Sequence, residues 1–369
     1  MSDAFRLPIT VLTGFLGSGK TTLLSHLIRQ PGLERTACVI NEFGSVGLDH
    51  ALVEKSSEDV VLMQSGCLCC TIRGDLVSTL RDLFMKRVRG AVPEFDRVVV
   101  ETTGLADPAP ILHTLMSDPL VSERYRLDGV VATVDAVNGS AQLDAQEESV
   151  KQAAMADRIV LTKTDLAPED AVVPLRDRLR ILNPAAPILE AAYGRIDPSL
   201  LLDAGLYDPS TKTADVARWL QAEAYDGGHR DGHRHEHQHE HEHEHGHDHA
   251  HGHAHDVNRH DDRIRSFCLE FDRPIPWEDF ADTMDTLVRI HGDSILRIKG
   301  VVWVTQTDRP IVIHGVQHLF HPPARIGTWP QGRPLTQIVF ITRDLPQKMV
   351  EGMMLAYMES LTQAPKDTL

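Results

Sequence analysis

The run Gly14-Phe15-Leu16-Gly17-Ser18-Gly19-Lys20-Thr21 sets glycines, a lysine and a hydroxyl at the spacing of a phosphate-wrapping loop, after the apolar Ile9 to Leu12 and at the head of a helical pattern. Backbone N–H groups in such a loop curl around phosphate oxygens, and the helix N-terminus adds the positive end of its dipole. Lys20 is expected to neutralise β- and γ-phosphates and the Thr21 hydroxyl to ligate Mg²⁺, with Gly14, Gly17, Ser18, Gly19 and Thr22 completing the binding stretch. A second segment, Thr162-Lys163-Thr164-Asp165, ends a buried strand and is expected to select the base, a strand end followed by an N-cap Asp being the other reading. The Asp165 carboxylate can accept from both the ring N–H and the exocyclic amine of guanine, whereas adenine leaves those acceptors unpaired and is rejected. Thr162 and Lys163 are placed in the same nucleotide-binding loop. A third segment, Val98 to Gly104, delivers Glu101 on an apolar strand and then a glycine. Glu101 is expected either to hold Mg²⁺ through water or to order the attacking water, and the Gly104 N–H to meet the γ-phosphate. Lys20, Glu101 and Gly104 are therefore the expected catalytic set, and GTP with Mg²⁺ the expected ligands.

Three thiols lie within four residues in Gly66-Cys67-Leu68-Cys69-Cys70. Thiolates are soft ligands that prefer Zn²⁺ or Cu⁺ to Mg²⁺, and a tetrahedral site needs a fourth donor from Glu42, a histidine or water. A redox pair or a buried cluster are the other readings of such a run. Glu42 belongs to Asn41-Glu42-Phe43-Gly44, at a strand end where a switch segment would sense both metals; Glu42 as a solvated charge, and Asp135 as a helix cap, are equally consistent with their positions. Cys38 and Cys268 sit in apolar strands and read as core.

The elements that must position these groups alternate between short β-branched runs and longer amphipathic segments, the pattern of βαβ units on a mostly parallel sheet. Ile9 to Leu12, Ala37 to Ile40, Arg97 to Val100, Val130 to Val134 and Arg158 to Leu161 are expected as strands, and Thr21 to Arg29, Asp75 to Arg89 and Glu169 to Leu182 as helices. Ala51 to Lys55 and Val60 to Gln64 read as an inserted hairpin with the thiols at its exit. From 226 to 262 the composition changes to a tract holding fourteen of the twenty-one histidines, a linker that cannot build a core. Its imidazoles can bind Zn²⁺, Ni²⁺, Co²⁺ or Cu²⁺ weakly and multiply, or the tract can serve only as a flexible connection. Beyond it, strands at Ser266 to Phe271, Val301 to Thr305, Pro310 to His314 and Gln337 to Thr342, with helices at Trp277 to Ile290 and Pro346 to Glu359, predict a small α+β domain. The expected organisation is an α/β nucleotide-binding domain over 1–225, the linker over 226–262 and the α+β domain over 263–369.

Net charge of −16 argues against nucleic acid as a partner, since phosphate contacts need clustered Lys and Arg. No apolar stretch approaches the ~18 residues of a membrane span. The start of the chain lacks a signal-peptide pattern, and five cysteines in this arrangement suit a reducing, cytoplasmic setting.

Taken together, Thr13 to Thr22, Asn41 to Gly44, Gly66 to Cys70, Glu101 to Pro108 and Thr162 to Asp165 resemble the CobW family of P-loop GTPases, and Arg297-Ile298-Lys299-Gly300 with the run His314 to Phe320 is similar to that family's C-terminal domain. The resemblance implies a metal at Cys67, Cys69 and Cys70, passed to a client metalloprotein under the control of GTP hydrolysis. Family members serve different metals and clients, zinc and cobalt among them. A metal store or sensor, with incidental nucleotide turnover, is the rival reading.

Overall fold

The computed structural model describes residues 6–40, 53–55, 60–63, 68–71, 76–202, 263–330 and 332–362. Glu42, Cys67, the segment Asn41 to Gly44 and the histidine tract lie outside them, and of Cys69 and Cys70 only the backbone is described.

The apolar runs become strands whose two faces are both buried. Leu7–Gly14 (β1), Thr36–Ile40 (β2) and Arg97–Glu101 (β6) lie side by side and parallel. On β6, Val98 and Val100 face one core and Val99 the opposite one, as the two-residue period of a strand requires. Between β2 and β6 in sequence come Val53–Lys55 (β3) and Val60–Met63 (β4), which pair antiparallel as the expected hairpin. The thiol segment is not simply an exit from that hairpin: Leu68–Thr71 forms a further strand (β5), antiparallel to β4 and parallel to β2. Tyr125–Asp135 (β7), Arg158–Thr162 (β8) and Ile188–Ala191 (β9) complete a nine-stranded sheet in the order β3-β4-β5-β2-β6-β1-β7-β8-β9.

Lys20–Leu27 (α1) covers one face of this sheet, burying Leu23, Leu24 and Leu27 against Leu12, Val99 and Val160. The other face is covered by Leu76–Val88 (α2), Pro108–Ser117 (α3), the short Pro119–Ser122 (α4) and Gly139–Ala145 (α5), then Glu147–Met155 (α6) and Glu169–Leu182 (α7). Val172, Leu175, Leu179 and Leu182 recur at helical spacing on α7, and each buried aliphatic side chain contributes about 1.5–3 kcal/mol.

The C-terminal part is an antiparallel sheet of Ile264–Phe271 (β10), Ile295–Val302 (β11), Ile311–Val316 (β12), Leu319–Phe320 (β13), Ala324–Arg325 (β14) and Thr336–Arg343 (β15), ordered β10-β15-β11-β12-β13 with β14 also on β12. Trp277–His291 (α8) and Gln347–Thr362 (α9) pack on one face through Phe280, Leu287, Val350 and Met354. The opposite face meets α6 and α7: Leu296 and Ile341 join the core of the first sheet, and the Ser266 hydroxyl donates to the Leu182 carbonyl at 2.7 Å.

Two strands depart from expectation: β7 begins at Tyr125, five residues before the expected Val130, and β11 is displaced as well. The sequence pattern points to Val301 to Thr305, yet β11 begins six residues earlier at Ile295. Arg297 and Lys299 interrupt the apolar run, yet both are buried against Asp157, at 2.7 and 2.6 Å. Opposite Lys299 in register stands His314, which burial, helped by Lys299 and Arg297, keeps well below its usual pKa and so neutral.

Candidate functional site

The site forms where β1, β6, β7 and β8 end side by side. Gly14 closes β1 at φ 142°, and a Cβ there would lie 2.2 Å from the Thr133 hydroxyl oxygen, so only glycine fits. Gly17 and Gly19 take φ of 74° and 88°, and Gly19 caps α1 with no side chain over the helix end, leaving its first N–H groups to the loop. The buried Ser18 hydroxyl pairs with that of Thr133 at 2.6 Å. Lys20 is 6% exposed, and its ammonium donates to the carbonyls of Gly14 and Phe15 at 3.0 and 3.2 Å, across the mouth of the loop.

Beside it, the Thr21 hydroxyl donates to Glu101 Oε1 at 2.5 Å, and Glu101 is 1% exposed. A hydroxyl and a carboxylate brought together next to a lysine form a hard-oxygen donor set that fits Mg²⁺, which prefers few protein oxygens and keeps several waters. After β6 the Thr102 hydroxyl donates to that of Thr13 at 3.0 Å, and the chain turns so that Gly104 lies against Leu16. A Cβ on Gly104 would come within 2.6 Å of the Leu16 backbone nitrogen, which explains the glycine and puts this loop directly on the phosphate loop.

The segment from Thr162 to Asp165 joins the same centre. Thr162 is buried, and its hydroxyl donates to the Ser18 carbonyl at 2.6 Å and to that of Val134 at 3.3 Å. It thus braces the phosphate loop from below. Lys163 follows at φ 57° and donates to Asp135 at 2.7 Å. Asp135 also accepts from the Val137 and Asn138 N–H groups; burial alone would raise its pKa, but these hydrogen bonds and Lys163 hold it below its usual value. Asp165 is exposed, facing the loop after β9, with the Tyr193 N–H at 3.4 Å. Thr22 is exposed next to Gly194 in that loop.

The structure therefore brings Gly14, Gly17, Ser18, Gly19, Lys20, Thr21, Glu101, Gly104 and Thr162 into one cluster, with Lys163, Asp165 and Thr22 along its rim. Sequence reasoning missed Thr133, Gln152 and Tyr193. Position at the end of a buried strand was the available signal for Thr133; Gln152, polar on an amphipathic helix, reads as surface.

On the thiol side, β5 pairs with β2 so that Cys69 stands opposite Cys38 and Cys70 opposite Val39. Cys38 itself is fully buried, as expected of a core residue. Among the described residues no three His, Cys, Asp or Glu side chains gather to hold a metal ion, and no helix is long and apolar enough to cross a membrane.

Residues 8–190 match the CobW/HypB/UreG nucleotide-binding domain family and residues 264–357 the cobalamin synthesis protein CobW C-terminal domain. Zinc chaperone YjiA of Escherichia coli is 31% identical over 349 residues, spanning 94% of this chain and 97% of that protein. Zinc-regulated GTPase metalloprotein activator 1 of Schizosaccharomyces pombe is 35% identical over 209 residues, 54% of this chain and 50% of its own length. The crystal structure of Zn(II)-bound YjiA GTPase from E. coli has a TM-score of 0.70 at 29% identity, covering 95% of this chain and 99% of that one.

Proposed function

The chain belongs to the CobW family, and from that premise we propose that it is a GTP-hydrolysing metallochaperone that carries zinc, or a related divalent metal, to a client protein. Lys20 and the loop N–H groups bind the phosphates, Asp165 reads guanine, and Gly104 meets the γ-phosphate. Thr21 and Glu101 hold Mg²⁺, which supplies charge neutralisation at the phosphates. The cargo metal is taken by Cys67, Cys69 and Cys70, with Glu42 as a further donor. Relatives carrying the names zinc chaperone and zinc-regulated GTPase metalloprotein activator support zinc as cargo.

The observation that carries this reading is the register of β2. Its last residue, Ile40, pairs with Glu101 of β6 on one side and with Thr71 of β5, the residue after Cys70, on the other. Adjacent strands lie about 4.8 Å apart, so the thiol strand ends level with the Mg²⁺ acid at roughly 10 Å. The segment that leaves Ile40 starts between the two centres, where a change at the γ-phosphate can alter the metal's coordination.

Because linkage is reciprocal, such a coupling requires zinc affinity to differ between GTP-analogue and GDP states, typically by about 5- to 150-fold. Titration at one pH, since thiolates must lose protons to bind, tests it. Replacing the three cysteines with Ser should abolish the difference while sparing nucleotide binding. Equal zinc affinity in the two states would refute delivery and leave a metal store that hydrolyses GTP.

A further inference from the structure

Helix α6 lies between the loop after β6 and the C-terminal sheet and holds both through polar groups. Gln152 on this helix is 1% exposed, and its side-chain amide donates to two carbonyls of the loop, Gly104 at 3.2 Å and Ala106 at 2.9 Å. The preceding residue, Lys151, donates to Asp107 at 3.3 Å, and Asp107 in turn caps α3 by accepting from the Ala109 N–H at 2.9 Å. Within the loop, the Ala106 N–H closes a turn on the Thr103 carbonyl at 3.1 Å. Thr103, Gly104, Ala106 and Asp107 are thus tied down, and Gly104 is pressed on Leu16 of the phosphate loop.

The far side of α6 is fixed as well. The Met155 carbonyl accepts from Arg297 at 3.4 Å, Asp157 just beyond the helix pairs with Arg297 and Lys299, and Glu147 at its start pairs with Arg343 of β15. Gln152 therefore reaches the loop from a helix that cannot drift.

Its other amide atom, Oε1, is buried and meets no hydrogen-bond partner among the described residues. A buried acceptor left in that state is unfavourable, and at a position needed only for packing an apolar residue of the same shape would serve better. The two donated hydrogen bonds are the feature that justifies a glutamine.

We propose that Gln152 is a positioning residue for γ-phosphate chemistry, which holds the Gly104 loop in the conformation that recognises a triphosphate. This rests on the GTPase reading above. GDP lacks the γ-phosphate that Gly104 is proposed to meet, so the loop's position should matter for the triphosphate and for turnover but not for the diphosphate.

The test uses the full chain with Gln152→Met, which keeps length and volume and removes both donors. Affinities for GDP and a non-hydrolysable GTP analogue and the kcat for GTP are measured alongside the unaltered chain. Expected are GDP affinity within twofold, a fall of about tenfold in analogue affinity relative to GDP, and a kcat lower by tenfold or more. Gln152→Glu, a carboxylate facing two carbonyls, should show the same loss at pH 8 and recover part of it as acid restores an O–H donor. The unaltered chain should show no such recovery. If Gln152→Met does not fold, Lys151→Met, which loosens the same loop through Asp107, should lower the analogue-to-GDP affinity ratio by a smaller factor. An unchanged ratio and kcat in the folded variants overturn the proposal while leaving the GTPase reading in place. An unaltered chain that binds neither guanine nucleotide overturns both.

Discussion

Replacing Asp157 with Asn should destabilise the chain more than any exposed substitution, because this carboxylate is the anion described for two buried cations. Asp157 is 1% exposed on its side chain and accepts from Arg297 at 2.7 Å, Lys299 at 2.6 Å and the Val130 N–H at 2.9 Å. Burial works to raise its pKa, but Arg297 and then Lys299 outweigh it and hold the group at about 2, against an ordinary 3.8. That difference corresponds to roughly 2–3 kcal/mol of native-state preference for the charged form. Since the folded value is the lower one, the stabilisation is complete above the unfolded value near pH 4 and is lost as pH falls through about 2. Burial, joined by the like charge of Arg297, pulls the Lys299 pKa down even with Asp157 in contact. Removing the charge leaves both cations buried, which typically costs about 3–5 kcal/mol. That is a large part of an ordinary stability of about 5–15 kcal/mol. Urea unfolding at pH 7, followed by the fluorescence of Trp277, Trp303 and Trp329 in the C-terminal part, reads the loss directly. Adding Arg297→Met and Lys299→Met to Asp157→Asn should restore most of it, since no buried charge then remains unmatched. A cost below about 1 kcal/mol for Asp157→Asn, or a triple variant as unstable as the single one, would refute this account of the junction.

Two further outcomes bear on the site. Asp165→Asn should reduce the preference for GTP over ATP by roughly ten- to a hundredfold, the worth of about 1.5–3 kcal/mol for hydrogen bonds to a charged acceptor, read as the ratio of kcat/KM for the two nucleotides; equal turnover of both by the unaltered chain would remove the base assignment. Deleting residues 226–262 should lower the number of weakly bound zinc ions, counted by titration with a chromogenic chelator, yet keep one tight site and GTP turnover, as expected of a tract that raises local concentration.

Much of this molecule is written in local pattern. The phosphate loop announces itself because glycines with positive φ, a lysine and a hydroxyl at fixed spacing serve one purpose, and α7 runs over the predicted Glu169–Leu182 because its apolar residues recur at 3.6-residue spacing. The parallel pairing on either side of β1 follows from alternating strands and helices, and the Asp165 segment is legible because it follows an apolar strand. Other features depend on what lies across the fold. The strand β11 is misplaced by sequence reasoning because Arg297 and Lys299 are polar by type, and only a carboxylate from residue 157, far away in sequence, makes their burial tolerable. Thr162 becomes a brace only when Ser18 of the phosphate loop arrives above it, and Thr133 fits Gly14 only once β7 lies alongside β1. Gln152 carries no signal in the sequence at all, since a polar residue on an amphipathic helix is ordinarily solvated. Periodicity and motif spacing record what a residue does to its neighbours in the chain, and so the sequence by itself determined the family, the phosphate-loop motif and the alternation of strands and helices, but not the strands β5 and β9. The partners of buried polar groups are long-range contacts with no period to betray them, and they were decided only when the two sheets and α6 came together.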